Sequence, residues 1–338
     1  MELKELTSFA GVSGGEKEVR NAIMNELRSM GVPFETDVLG NVIARKGEKG
    51  PKVLVDAHMD EVGLMIVHIE KNGFLRFRSI GVPVSVMVSK RVFIGKDRVP
   101  GVIGAKAIHL QQPKERETVI PLDQLFIDIG AKSKEEAEKK VKIGDYAVFD
   151  TEFEELSPGI VKAKALDDRI GCALIFEILR EEWENLQLYA VFATQEEIGL
   201  RGARVAAYRV KPDMGIALEG TVCADIPLAD KDSYATKIGE GAAISFMDRG
   251  SIASRSMKEQ LMRLAKENGI PVQFREATSG GNDAGAIQAA HAGCPVASIS
   301  VPCRYIHTPF SLASMSDFKA AKDLLIAFLR SVEGGFRP

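Results

Sequence analysis

The chain of 338 residues has only four cysteines, and none falls in a C-x-x-C pair. Cys172, Cys223, Cys294 and Cys303 therefore read as separate reduced thiols. That excludes a disulfide scaffold and a thiolate zinc finger, and favours a cytoplasmic location. No run of ~18 uninterrupted apolar residues occurs, so no helix is expected to span a membrane. The opening MELKELTSFAGVSGGEKEVRNAIMNELRSMG mixes acidic residues into a helical period. It lacks the basic stub and continuous apolar stretch of a signal peptide. An excess of one charge is missing too: 44 Lys and Arg stand against 47 Asp and Glu, a net charge of −3. No nucleic-acid partner and no anionic membrane partner is expected. The densest charged run, KSKEEAEKKVK at 132–142, is mixed in sign and reads as a solvated helix face. No H-E-x-x-H occurs, which excludes a peptidase carrying one zinc on a single helix.

What is present is enough apolar residue, 45%, to bury a sizeable core and to form two domains. GGEKEVRNAIMNELRSMG (14–31) spaces Val19, Ile23, Leu27 and Met30 as a helix that stops at Gly31. NVIARKG and PKVLVDAH follow as strands separated by a Gly/Lys turn. From about 64 to 160 the texture is short β-rich runs and turns, interrupted by one helix at SKEEAEKKV. Beyond it strands and helices alternate, ending in SMSDFKAAKDLLIAFLRSV with Ser316 as the N-cap. The expected fold class is α/β: a mostly parallel central sheet covered by helices, built from residues 1–63 and 161–338. A small β-barrel-like unit at 64–160 is inserted into it.

The informative residues stand where apolar strands end. VLVDAHMDEVG delivers His58 and Asp60, and LYAVFATQEE delivers Glu196 and Glu197. MGIALE delivers Glu219, CPVASISVPCRYIH delivers His307, and Asp167 and Asp168 sit in the turn entering a helix near Arg169. Ligands in open α/β sheets bind outside the carboxyl ends of the strands, so these groups can converge in one crevice. Each signal has an ordinary reading as well: a strand-end histidine, a solvated Glu pair, an Asp-Asp helix cap. Jointly they point to a metal site, and imidazoles with carboxylates suit zinc, cobalt or manganese.

Other motifs carry less. GVSGG matches the G-x-S-x-G nucleophile elbow in form, but the segment before it is helical rather than a strand, so Ser13 reads as a cap or turn residue. TSGGNDAGAIQ lacks the Lys-Ser/Thr of a phosphate-binding loop and reads as a Gly-rich turn that brings Asp283 near a site. His68, His109 and a helical His291 read as structural or surface residues.

DAHMDEVG, KALDDRIG, ATQEEIGLRGA, SGGNDAG and RYIHTP together resemble the cytosolic metallo-aminopeptidases that assemble into tetrahedral dodecamers, a family of glutamyl and deblocking aminopeptidases, some once labelled endoglucanases. The likeness covers nearly the whole chain. It implies a di-zinc exopeptidase-like fold, peptide substrates with free N-termini, and homo-dimers, formed through the insert, that assemble into a dodecamer. It implies two divalent ions, zinc or cobalt with manganese as a further option. His58 and Glu219 would hold one, His307 and Glu197 the other, and Asp167 would bridge them. Glu196 would be the general base, Asp60 would orient His58, and Asp168 would be a turn residue. Many relatives of that family have Asp where this chain has Glu219, a departure expected to bear on metal preference. The pocket for the first residue is expected from several loops and the insert, with Cys303 and Arg304 as candidates. Two readings compete: a glycoside hydrolase, needing two carboxyl groups about 5–9.5 Å apart and no metal, and a non-catalytic assembly protein with a relic metal site.

Overall fold

In the computed structural model, which describes residues 1–227, 229, 235–276, 278 and 280–338, apolar runs after residue 160 join the earlier PKVLVDAH run to form the parallel heart of one large sheet. The strands, in chain order, begin with β1 (Phe34–Thr36), β2 (Val42–Lys46) and β3 (Lys52–His58). Then come β4 (Gly63–Ile69), β5 (Leu75–Ile80), β6 (Arg91–Ile94), β7 (Val99–Gly104), β8 (Phe126–Asp128) and β9 (Tyr146–Phe149). A hairpin, β10 (Glu154–Ser157) and β11 (Ile160–Ala163), precedes β12 (Gln187–Ala193) and β13 (Met214–Cys223). The series closes with β14 (Ala242–Ser245), β15 (Val272–Arg275), β16 (Val296–Arg304) and β17 (Ser311–Ser314). The helices are α1 (Leu3–Leu6), α2 (Lys17–Ser29), α3 (Lys134–Glu138), α4 (Leu166–Arg180), α5 (Arg201–Val210), α6 (Arg255–Asn268), α7 (Asp283–Gln288) and α8 (Met315–Glu333).

The large sheet runs β1-β2-β12-β3-β13-β16-β17-β11-β10, with β14 and β15 branching from β16. Its centre, β12-β3-β13-β16, is parallel throughout. A parallel sheet is covered on both faces, which is why these strands are continuously apolar rather than alternating. Along β3 the side chains still divide by face. Val53 and Val55 join the core formed with α2, α4, α6 and α8, while Leu54 joins a smaller core with α5 and α7. Asp56 and His58 fall on Leu54's side by the same alternation.

β4, β5, β8, β7, β6 and β9 close into a barrel around a separate core that includes Leu64, Ile66, Phe77, Ile94 and Ile127. Closure removes the sheet edges that short strands would otherwise expose. The barrel strands end at Phe149, and β10, although it lies within the 64–160 segment, joins the large sheet through β11, which pairs with β17. β2 and β3, adjacent in sequence, are not neighbours, because β12 pairs with both. The cap of the last helix lies two residues earlier than expected, at Ser314, whose Oγ accepts the Ser316 N–H at 3.2 Å. His291 follows α7 rather than lying inside it, with a left-handed φ of 52° and its ring stacked on Tyr208 at 4.2 Å.

Candidate metal centre

His58 is the last residue of β3 and is buried. Its Nδ1 lies 3.2 Å from the Asp60 carbonyl oxygen and 3.4 Å from Asp60 Oδ1. With Nδ1 held there, Nε2 faces the ends of the neighbouring strands. It lies 3.2 Å from Asp167 Oδ1, 3.7 Å from Glu219 Oε2 and 4.0 Å from Glu196 Oε2. Glu219 is not past a strand end as the sequence implied, since β13 continues to Cys223. Ala217 pairs with Asp56 in register, so Glu219 stands level with His58 on the adjacent strand.

The second imidazole arrives from the far end of the chain. His307, three residues beyond β16 with φ 59°, places Nε2 3.4 Å from Glu197 Oε2 and 3.7 Å from Asp167 Oδ2. Its Nδ1 donates to the Gly81 carbonyl at 3.0 Å, a contact from the barrel segment. The Asp167 carboxylate is therefore flanked by both imidazoles, one on each oxygen. Asp167 and Asp168 open α4 with non-helical backbone angles and a cis peptide between them. Gly220 lets β13 approach this turn, because a Cβ there would stand 3.1 Å from Asp167 Cα.

Glu196 and Glu197 leave β12 through Gln195, whose φ is 58°. Asp60, fully buried, accepts the Glu196 N–H on Oδ1 at 3.0 Å and the Glu197 N–H on Oδ2 at 3.2 Å. One carboxylate thus holds both the first imidazole and the loop carrying the two glutamates.

Burial pushes the carboxyls of Glu196, Glu219 and Asp168 well above the usual range, with further repulsion from neighbouring carboxylates; Glu197 goes up to about 8 for the same reasons. Burial works against the charged form of His58, but bonds to Asp167 and Asp60 outweigh it and raise its proton affinity. Asp60 resists its own burial and is lowered, held by His58, Ser13 and the Glu196 N–H. Buried charges of one sign are costly unless something neutralises them. Glu219 Oε1 and Asp168 Oδ2 are buried with no hydrogen-bond partner among the described residues. Donor atoms of His58, Asp168 and Glu219, and of His58, Asp167 and Glu197, lie within 4.8 Å of one another. Orphaned carboxylate oxygens beside imidazole nitrogens are the donor chemistry of divalent zinc, cobalt or manganese, and the residues fit such ions. Asp168 stands closer to this centre than a mere turn residue would.

The centre opens into a cavity of about 770 Å³ whose lining includes Arg249, Arg275 and Asn282. Cys303 and Arg304 do not line it: Cys303 is fully buried, and Arg304 is held by both oxygens of Asp225. No barrel residue lines it either. Within SGGNDAG, Ser279 lies outside the described residues. Asp283 is buried beside Asp56, and neither carboxylate has another hydrogen-bond partner among the described residues. Asp56 is a polar neighbour of the centre that its place two residues before His58 could have signalled.

A protein-family model described as M42 glutamyl aminopeptidase matches residues 40–324. Lysyl aminopeptidase from Pyrococcus furiosus is 36% identical over 335 residues, covering 96% of this chain and 95% of that protein. Among solved structures, aminopeptidase APDkam598 from the archaeon Desulfurococcus kamchatkensis superposes with a TM-score of 0.92 at 38% identity, covering 97% of this chain and 93% of that one. The TET1 peptidase of Pyrococcus horikoshii, which can assemble into a tetrahedron or a large octahedral shell, superposes with a TM-score of 0.86 at 34% identity, covering 96% of this chain and 97% of that one. Matched by the family over most of its length and by these relatives over nearly all of it, the chain belongs to the M42 glutamyl aminopeptidase family.

Proposed function

We propose that this aminopeptidase, a hydrolase of peptide bonds, removes N-terminal residues from peptides with the help of two divalent cations and a glutamate general base. The supporting observation is the Asp167 carboxylate flanked by His58 and His307, with Glu196 4.0 Å from the first imidazole. His58, Glu219 and one oxygen of Asp167 would hold one cation; His307, Glu197 and the other oxygen of Asp167 would hold the second. When bound, such a pair of ions lowers the pKa of water and stabilises a developing oxyanion. The protein's own residues do the rest. Asp60 keeps His58 Nδ1 engaged, so that Nε2 is the nitrogen offered to the centre.

Glu196 accepts a proton from the attacking water as the carbon–oxygen bond forms, then gives it to the amine nitrogen as the carbon–nitrogen bond breaks. A general base of this kind contributes ~10²–10⁴ in rate. The chain would act in the cytoplasm as a homo-oligomer, with the barrel at the dimer interface and the dimers joining into a dodecamer. Its four cysteines are free and buried, in keeping with that location. No helix among the described residues is long and apolar enough to cross a membrane.

Glu196→Gln tests the reading. It should keep its metal content, measured by elemental analysis, and lose hydrolysis of amino-acid arylamides by ~10²–10⁴-fold. Full activity in that variant overturns the role of Glu196. Cellulose hydrolysis that survives a chelator would instead favour glycoside chemistry, and metal content without turnover on any peptide would favour an assembly protein.

A further inference from the structure

The turn after α1 is tied to the centre more tightly than a surface connection needs to be. Gly11 donates its N–H to Glu61 Oε1 at 2.9 Å and accepts the Glu61 N–H at 2.9 Å. Val12 forms a bridge with Glu61, and Gly15 N–H closes a tight turn on the Val12 carbonyl at 2.6 Å. At the tip of that turn sits Ser13, buried, whose Oγ donates to Asp60 Oδ2 at 2.6 Å. Gly14 and Gly15 let the barrel close over the tip. A Cβ at Gly14, where φ is +87°, would stand 2.7 Å from the Tyr146 hydroxyl, and one at Gly15 would stand 2.6 Å from its ring.

The Asp60 carboxylate therefore has four partners from three parts of the chain: Ser13, the His58 ring, and the backbone of Glu196 and Glu197. Oδ2 takes its short bond from Ser13 and only a 3.2 Å bond from Glu197. Without the hydroxyl, the buried oxygen keeps one long donor, and the carboxylate can rotate. Rotation would swing whatever the carboxylate holds, namely the ring of His58 and the loop bearing the two glutamates.

We infer that Ser13 is a positioning residue of the metal centre: its hydroxyl fixes Asp60, and through Asp60 the aim of His58 and of the Glu196–Glu197 loop. The inference rests on the metal-site reading above. A residue that orients a ligand from behind typically changes metal affinity or activity by 10–100-fold when lost.

The test uses the full-length protein, stripped of metal and titrated with Co²⁺. It compares Ser13→Ala with the near-isosteric pair Ser13→Thr and Ser13→Val, which share the added bulk and differ in the hydroxyl. The measurements are Co²⁺ affinity against a competing chelator, the visible spectrum of the bound ion, kcat and KM on an arylamide, and the melting temperature. Expected for Ser13→Ala and Ser13→Val are ~10–100-fold weaker Co²⁺ binding, an altered spectrum, and a fall in kcat at saturating Co²⁺ with KM within about twofold. Ser13→Thr should stay near wild type. Ser8→Ala, which removes a surface hydroxyl bonded to the Glu5 carbonyl, should change nothing.

If Ser13→Ala fails to fold, the Thr/Val pair decides, since any packing defect is common to both. Equal Co²⁺ binding, spectrum and kcat across the variants overturns the inference, as does a loss confined to melting temperature. A wild-type protein that binds Co²⁺ without hydrolysing any arylamide overturns the proposed activity alone, because binding and spectrum still test Ser13. A wild-type protein that binds no Co²⁺ overturns both.

Discussion

Two buried charged clusters meet at one peptide bond, between Asp60 and Glu61, and they are neutralised in opposite ways. On the Glu61 side the protein supplies its own cations. Lys164 Nζ sits 2.8 and 2.9 Å from the two Glu61 oxygens and Arg169 Nη2 sits 3.6 Å from Oε1, all three side chains being almost fully buried. Arg169 also donates to the carbonyls of Met59 and Leu6, tying the end of β3 to α1. On the other side, Asp167, Asp168, Glu196, Glu197 and Glu219 surround two imidazoles, and no Lys or Arg forms an ion pair with any of them among the described residues. The first arrangement locks a fold. The second has no protein cation paired with its carboxylates, so buried carboxylates differ in meaning according to whether the sequence also folds a cation onto them.

The widest gap between the clusters should appear on chelation. Removing divalent ions should take several kcal/mol from transition-state stabilisation, an arylamidase loss of at least ~10²-fold, reversed by zinc, cobalt or manganese. It should also give the protein a pH-dependent weakness. The metal-side carboxyls keep their protons to higher pH when folded, Glu197 to about 8 against an ordinary 4.5. Between those values the folded state binds more protons than the unfolded state, so metal-free stability falls as pH rises through the window. Thermal melts with and without chelator should therefore diverge from pH 5 to pH 8, the ions being favoured most where the carboxyls would otherwise be protonated least. A chelated protein equally stable across that range would show that the acidic cluster needs no cation.

Lys164→Met attacks the other cluster. It leaves Glu61 buried without its closest cation, and breaking such a pair costs about 3–5 kcal/mol. The loss should appear in urea or heat melts of the metal-loaded enzyme as well as the chelated one. Metal stoichiometry should be unchanged in the protein that remains folded.

Much of the second cluster was legible in the sequence because most of its members stand at or near the ends of apolar strands, where the carboxyl edge of a parallel sheet gathers them, although Glu219 reaches that edge from inside β13. His58, Asp167, Glu196, Glu197, Glu219 and His307 all reach it. What sequence could not supply were partnerships set by tertiary placement. Ser13 meets Asp60 across 47 positions, and Lys164 meets Glu61 across 103. GVSGG has no periodicity that announces a buried hydroxyl, and its local grammar of small residues reads as a turn, which it is. The sheet order was hidden for a similar reason: β2 and β3 look like a hairpin until β12, arriving some 130 residues later, pairs between them. Asp283 was legible as a residue carried toward the site by its Gly-rich turn, but its partner Asp56 was not, because a lone Asp inside a strand has a bland explanation and only its proximity to Asp283 is informative.

A matched pair of shortenings makes the finest cut between the clusters. Glu219→Asp and Glu61→Asp are the same chemical change, the loss of one methylene from a buried carboxylate. Glu61 makes bonds of 2.8 and 2.9 Å to Lys164 and 2.9 Å to the Gly11 N–H, all with fixed partners that cannot follow a retreating carboxylate. Its shortening should lower unfolding free energy by about 1–3 kcal/mol, the range for an unsatisfied buried polar group, and leave metal preference as it was. Glu219 faces His58 Nε2 across 3.7 Å and leaves Oε1 without a hydrogen-bond partner among the described residues, so it has no side-chain geometry to lose. Its shortening should cost less stability than that of Glu61, while changing the ranking of zinc, cobalt and manganese as activators, because ligand reach sets the geometry each ion can adopt. Metal titrations of arylamidase activity and denaturant curves, run on both variants, read the two effects separately. If Glu219→Asp proves the more destabilising change with an unaltered metal ranking, Glu219 belongs with the structural cluster and not with the centre.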